Sequence, residues 1–220
     1  MAVAVKICGI TTEEAMEAAL DGKAAFVGVV FYPPSPRAVD ENRASELLDF
    51  ISEETRKVGL FVDPDDATLD RVLTRCRLDL IQLHGRESAE RVEAIRLEYG
   101  LPVMKAVQVS ELTDIANTVT TYGDVADWLL LDAKAPAGSD RPGGNAVAFD
   151  WSLPAQWRRQ SDRHWPVPWM LAGGLTPETL ALAVAESKAL AVDVSSGVED
   201  APGVKSVRKI TEFLDIASRL

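Results

Sequence analysis

The chain has 220 residues, 47% hydrophobic and 26% charged, the composition of a soluble globular protein long enough to bury a core without disulfides or a structural metal. Its net charge of −11 argues against nucleic acid and anionic membranes as main partners, and leaves a small anionic ligand open, since a few N–H groups and cations decide such binding locally. No run of about 18 apolar residues reads as a transmembrane helix. The start, Met1-Ala-Val-Ala-Val-Lys6, lacks a signal-peptide pattern, and Cys8 and Cys76 stand far apart with no metal-type spacing, so a reduced cytoplasmic setting is expected.

In chain order, residues 3–8 are a short apolar run that breaks at Gly9 and read as a first strand. Thr11, Thr12 and Glu13 open a helix to about Leu20, closed by Asp21-Gly22. Residues 25–31 form a near-continuous apolar run of the kind a buried parallel strand gives, followed by the stiff loop Tyr32-Pro-Pro-Ser-Pro-Arg37. Asp40 starts a second helix, with Ala44, Leu47, Leu48 and Ile51 on one face. Strand 3 is read over 57–62, and the third helix carries Leu69, Val72, Leu73 and Cys76 on one face. Strand 4 is read over 78–83 before His84-Gly85, and a helix over 88–99 stops at Gly100. Strand 5 covers 102–106, helix 5 runs from about Ser110 to Thr121, and strand 6 covers 128–132. A polar, Gly-rich loop follows, from Ala133 to about Val147, and a short helix is expected near 154–160. Strand 7 is read over 169–172, with Thr176 as N-cap and Pro177 as first residue of a helix to Ser187. Strand 8 is read over 191–194, and the last helix, from about Lys205 to Leu220, should turn Val207, Ile210, Leu214 and Ala217 inward. Eight strand–helix alternations without a linker predict one domain over 1–220, an α/β protein with a single (β/α)8 TIM barrel. A doubly wound open sheet is the weaker alternative, because no G-x-G-x-x-G follows strand 1.

Chemistry in such a barrel gathers where strands end. Residues at those ends are Cys8, Arg37, Asp63, Gln82, His84, Lys105, Asp132, the pair Gly173-Gly174, and Asp193 with Ser195. The two glycines after strand 7 and Ser195-Ser196-Gly197 after strand 8 offer backbone N–H groups to a phosphate, where barrels of this kind often hold one. Cys8 reads either as a small core residue or as a group at the mouth. Asp132, after three leucines, is costly to bury unless paired or functional. Arg37 is either a solvated loop residue or a fixed carboxylate clamp. His84 reads equally as a structural histidine or a ligand-contacting one, Asp63 and Lys105 are weak signals, and Asp193 points either into the barrel or toward the mouth. Cys76 lies on a helix core face and reads as structural. Arg158, Arg159 and Arg163 with Trp157 and Trp165 form a basic–aromatic stretch best read as a solvated face on so acidic a chain. No metal set emerges. A thiolate and a carboxylic acid across the mouth suit proton transfer beside a carbonyl or imine carbon without any cofactor.

Seven stretches carry a resemblance. They are Lys-Ile-Cys-Gly-Ile-Thr at 6–11, Phe-Val-Gly-Val-Val-Phe-Tyr-Pro-Pro-Ser-Pro-Arg at 26–37, Gln-Leu-His-Gly at 82–85, Leu-Leu-Leu-Asp at 129–132, Phe-Asp-Trp at 149–151, Leu-Ala-Gly-Gly-Leu-Thr-Pro-Glu at 171–178 and Val-Asp-Val-Ser-Ser-Gly-Val-Glu at 192–199. In this order they closely resemble the phosphoribosylanthranilate isomerases of tryptophan biosynthesis. The resemblance implies a barrel that runs an Amadori-type rearrangement: the ribosylamine ring opens, and a proton moves from C2 to C1. It implies Cys8 as general base, Asp132 as general acid, Arg37 on the anthranilate carboxylate, and Gly173, Gly174, Ser195 and Gly197 at the phosphate, with Asp193 counted among the substrate-binding residues. It implies a small phosphorylated substrate and no cofactor, with the oligomer left at monomer or homodimer. The family loop Gly-Gly-Thr-Gly is here Gly143-Gly-Asn-Ala146, a departure that touches the loop's contacts and not the proposed acid and base. The rivals are the histidine-pathway ribosylamine isomerase, which has an aspartate where this chain has Cys8, and a barrel that binds a phosphorylated metabolite without turnover.

Overall fold

A computed structural model describes residues 2–49, 51, 54–134, 148–161 and 164–220. The divergent stretch Gly143-Ala146 and Arg163 lie outside them. Eight parallel strands close on themselves: β1 (Ala4–Cys8), β2 (Phe26–Val30), β3 (Arg56–Phe61), β4 (Leu80–Leu83), β5 (Val103–Val109), β6 (Trp128–Ala133), β7 (Trp169–Leu171) and β8 (Ala191–Val194), with β8 paired back to β1. Helices α1 (Glu13–Asp21), α2 (Glu41–Asp49), α3 (Asp66–Arg75), α4 (Ala89–Tyr99), α5 (Leu112–Tyr122), α6 (Leu153–Ser161), α7 (Leu180–Ser187) and α8 (Val207–Ser218) form the outer ring. This is the TIM barrel that the alternation of apolar runs predicts.

Local chemistry starts and stops these helices where the sequence placed the signals. Thr12, Asp65 and Ser88 each accept a hydrogen bond from a backbone N–H of the first turn of α1, α3 and α4, worth about 1 kcal/mol per cap. Gly100 ends α4 in the left-handed conformation, φ 62°. Inside the barrel, Phe26, Val58, Leu80, Met104, Leu130, Met170 and Ala191 come from seven strands and pack as one cluster. Strand side chains alternate between faces. Residues two positions along from these, toward the C-terminal ends, therefore also face the interior.

Four details differ from the sequence reading. The regular part of α7 starts at Leu180, because Thr176 and Thr179 first close a turn of their own: the Thr176 N–H donates to Thr179 Oγ1 (2.9 Å) and the Thr179 N–H to Thr176 Oγ1 (3.3 Å). Thr176 thus caps that turn, and Thr179 sits at the helix cap. Val207 is 47% exposed, and Phe213 joins Ile210, Leu214 and Ala217 on the inner face of α8. Side chains lean toward a helix's N-terminus, so one on the first residue overhangs the end of the packed face. Strand β5 runs on to Val109, three residues past its expected end at Ala106. Between β8 and α8 lies an unforeseen hairpin, β9 (Glu199–Ala201) and β10 (Val204–Lys205).

The stretch after α6 is a packing device. Trp157, Trp165 and Trp169 stack in series with centroids 4.6 and 4.9 Å apart, while Arg158 and Arg159 stay exposed. Each such pair adds about 0.5–1.5 kcal/mol beyond its buried area. Among the described residues no helix is long and apolar enough to cross a membrane.

Candidate active site

Polar side chains replace apolar ones in the layers above the Phe26–Met170 cluster. Lys6 and Cys8 on β1, Gln82 on β4, Asp132 on β6 and Asp193 on β8 are all buried, as is His84 just beyond β4. All share the inward parity. A barrel interior is normally filled by branched apolar residues, so this concentration at the C-terminal end marks the mouth as a site.

On one side stands Asp132. Its Oδ1 accepts a 2.8 Å hydrogen bond from the Ala133 N–H, and His84 Nε2 lies 3.3 Å from Oδ2. That distance is short, yet the ring is not aligned as a donor, and His84 Nε2 makes no hydrogen bond among the described residues. The other ring nitrogen, Nδ1, lies 3.2 Å from Gln82 Nε2. With Gln82 donating there, the proton of a neutral ring belongs on Nε2, facing the carboxylate. Gly173 borders Asp132 on the next strand end. A β-carbon there would stand 2.8 Å from the Ala133 nitrogen and 3.3 Å from Asp132 Oδ1. Gly173 and Gly174 both take positive φ, 83° and 69°, which only glycine adopts readily.

Across the mouth stands Cys8, 4% exposed, packed beside Val30 and Leu60. Burial pushes its thiol above the ordinary range, although the nearby Lys6 ammonium draws it down. Lys6 donates to Asp193 Oδ1 at 2.9 Å, so Asp193 points into the barrel and not at the phosphate loop. Cys76 is a different kind of cysteine: burial pushes it up to about 11, and it packs in the helix layer.

Arg37 is not a solvated loop residue. It is 5% exposed, and its Nε and Nη2 donate to Glu199 Oε1 (2.6 Å) and Oε2 (2.8 Å), a two-pronged pair. Lys205 Nζ joins the same carboxylate at 2.7 Å and also donates to the Ser195 carbonyl at 2.9 Å. Burial pushes the Glu199 carboxyl up, but Arg37 and Lys205 outweigh it and hold it below the usual range. The hairpin thus sets the Arg37 guanidinium in a fixed orientation. Lys105, in contrast, faces outward from β5 and closes a buried knot, with Glu87 Oε2 at 2.9 Å and the Leu83 and Gly85 carbonyls. Glu87 accepts the Asp63 N–H at 2.9 Å, and both Lys105 and Asp63 read as loop architecture.

The loops after strands 7 and 8, where a phosphate is expected, lie side by side. Among the described residues the backbone N–H groups of Gly173 and Gly174 donate to no protein acceptor, and Gly197 lies in the short 3-10 turn Ser196–Val198. The two loops touch: a β-carbon on Gly197 would fall 1.8 Å from the Leu175 carbonyl oxygen. Ser195 contributes differently, its hydroxyl donating to the Cys8 carbonyl at 3.1 Å and tying the two strand ends together. Gly197→Ala has to separate these backbones and is expected to weaken binding of inorganic phosphate at least about tenfold, a loss of some 1.4 kcal/mol. Unchanged phosphate affinity by titration calorimetry would show that the cradle is misplaced.

Four buried or paired charged residues near the mouth escaped the sequence reading: Lys6, Glu87, Glu199 and Lys205. A lysine at the parity of Cys8 was the signal for the first; pairing of the others needs the fold. A separate cavity of about 820 Å³, lined by Trp128, Trp165, Arg158 and Lys188 among others, opens at the N-terminal end of the strands, away from these groups.

The comparisons with known proteins agree with this fold. The family model described as N-(5'phosphoribosyl)anthranilate (PRA) isomerase matches residues 5–216. The N-(5'-phosphoribosyl)anthranilate isomerase of Paramagnetospirillum magneticum is 60% identical over 99% of this chain and 98% of its own length, and that of Rhodospirillum rubrum 50% over 96% and 95%. The crystal structure of phosphoribosyl anthranilate isomerase from Thermotoga maritima superposes with a TM-score of 0.84 at 34% identity, covering 99% of this chain and 100% of that one. An isomerase of the same kind, solved in complex with reduced 1-(o-carboxyphenylamino)-1-deoxyribulose 5-phosphate, gives a TM-score of 0.82 at 32% identity, covering 99% and 100%. The chain belongs to the N-(5'-phosphoribosyl)anthranilate isomerase family.

Proposed function

We propose that the mouth of this barrel converts N-(5'-phosphoribosyl)anthranilate to 1-(2-carboxyphenylamino)-1-deoxyribulose 5-phosphate, an Amadori-type step of tryptophan biosynthesis. The observation that carries the reading is the pairing of a thiol and a carboxyl group at inward positions of β1 and β6, with the N–H groups of Gly173 and Gly174, which have no acceptor among the described residues, beside the carboxyl. The phosphate sits on the N–H groups of Gly173, Gly174 and Gly197 and against the Ser195 strand end. Asp132 gives its proton to the ring oxygen as the C1–O bond breaks, and the nitrogen lone pair forms the C1=N bond. The Cys8 thiolate takes the C2 proton. That electron pair becomes the C1=C2 bond, and the C=N pair returns to nitrogen. Cys8 then returns its proton to C1 while the C2 hydroxyl proton passes to the Asp132 carboxylate, which leaves the ketone at C2 and both groups as they began. The anthranilate carboxylate lies on the guanidinium of Arg37.

Turnover is tested by following loss of substrate fluorescence, with the histidine-pathway ribosylamine substrate assayed beside it. Conversion of the anthranilate substrate is expected; turnover of only the other, or of neither, overturns the reading. Arg37→Ala is expected to raise KM at least about tenfold, one charge-assisted contact's worth, with a smaller effect on kcat. It also leaves the buried Glu199 carboxylate with Lys205 and the Gly203 N–H, a loss on the order of 3 kcal/mol of stability, so KM is read well below the variant's Tm. An unchanged KM would show that Arg37 serves only the hairpin.

A further inference from the structure

We infer that Lys6 is a positioning residue for the proposed reaction, its buried ammonium holding the Cys8 thiolate while Asp193 holds the ammonium in place. This rests on the reading of Cys8 as the base. Lys6 is 0% exposed, in the interior layer below Cys8, on the same strand and with the same parity. Strand pairing sets Lys6 opposite Asp193, and Nζ and Oδ1 meet at 2.9 Å. Cys8 is set opposite Gly28. A β-carbon on Gly28 would stand 3.2 Å from Cys8 Sγ and 3.2 Å from Lys6 Nζ. The missing side chain is thus the space in which thiol and ammonium come together.

A buried lysine costs stability unless it is paired, and a pair in a barrel core is often replaceable by apolar residues without loss. The pair therefore asks for a reason beyond packing. The chemistry supplies one. A thiolate in a dry layer is costly, and one adjacent cation offsets most of that cost. Charged groups facing Cys8 come from three elements: Lys6 on its own strand, Asp193 on β8 and Lys205 on β10. Beyond them, Glu199 and Arg37 are paired with each other and with Lys205. From β2 and β3 come only Gly28, Val30 and Leu60. Lys205 is shared between Glu199 and the Ser195 carbonyl, which leaves Lys6 as the cation nearest in layer to the sulfur. During turnover Lys6 exchanges no proton. The C2 proton passes to sulfur, the electron pair stays on the substrate, and Lys6 remains an ammonium throughout. Asp193 acts in the opposite sense on the same sulfur, since a nearby anion disfavours the thiolate.

These opposed signs give the test. Alkylation of Cys8 by iodoacetamide is followed across pH on the full chain without substrate, site-resolved by peptide mass spectrometry, with Cys76 as internal reference. Asp193→Asn keeps the cation and removes the anion, so the Cys8 titration should move down by about one pH unit or more. Adding Lys6→Met to that variant removes the cation without stranding a buried charge, and the titration should move back up past that of the parent chain. The double variant should also lose kcat by about tenfold or more with KM within a few fold, the pattern of a group that acts only on the chemical step. A merely structural pair would move both variants the same way or leave the titration where it was, and either result overturns the proposal. If the double variant does not fold, Asp193→Asn alone still decides by its sign. A shifted titration with kcat unchanged overturns the role in turnover and points to failure of the base assignment, which the activity of Cys8→Ala reports independently.

Discussion

Cys8→Ala is expected to cut kcat by about a thousandfold while KM stays within a few fold, because a positioned general base contributes roughly 10²–10⁴ to a proton transfer and little to ground-state binding. The sulfur sits over Val30 and Leu60 at the mouth, outside the main core cluster. Its removal should therefore cost only about 1 kcal/mol of stability, a small cavity that the open side relieves. Cys8→Ser keeps the size but not the acidity, and is expected to be nearly as slow. The pH profile of the parent chain carries the same information. A buried thiol with a raised pKa is mostly neutral at pH 7, so kcat/KM should climb with pH into the alkaline range, and the limb should vanish in Cys8→Ala. Loss of substrate fluorescence measures all of this. Activity within tenfold of the parent chain would remove Cys8 from the mechanism.

The second large effect is expected at Asp132. Asp132→Asn preserves shape, and an amide oxygen can still accept from the Ala133 N–H. It cannot deliver a proton to the ring oxygen. A fall in kcat of about 10²–10⁴ is expected, with binding of the product-like reduced ligand retained. With the phosphate on its proposed donors, Gly173, Gly174 and Gly197, affinity should survive even where turnover does not. A variant that turned over normally would leave ring opening to water or to another group. His84, 3.3 Å from Oδ2, would then be the next residue to test.

Much of this was visible in the residues alone, for physical reasons that can be stated. Parallel strands buried on both faces announce themselves as apolar runs, and β2, all of whose residues are buried, was as legible as any. Cys8 and Asp132 drew attention because each ends such a run and each lies at the mouth. What the sequence concealed were pairings between distant strands. Lys6 reads as part of the apolar run over 3–8, since nothing local says that β8 brings Asp193 against it. The β9–β10 hairpin is too short to leave a periodic signal, and with it went Glu199 and Lys205, so Arg37 could be read as a loop residue. The start of α7 was misjudged because a threonine and a proline signal a helix entry but do not say how many turns of irregular chain come first.

The seam between β1 and β8 has a consequence for how the chain acquires activity. Lys6 and Asp193 are 187 residues apart in sequence, and so are Cys8 and the Ser195 hydroxyl that holds its carbonyl. Contacts of such long range form late, since the entropy of closing the largest loop must be offset before they can contribute. A chain emerging from the ribosome can build most of its strand–helix units while Lys6, beside the Cys8 thiol on β1, still lacks Asp193, and while the β8 side of the proposed phosphate site is still missing. Turnover is therefore a property of the closed ring alone, and its recovery during refolding times the last joint of the barrel.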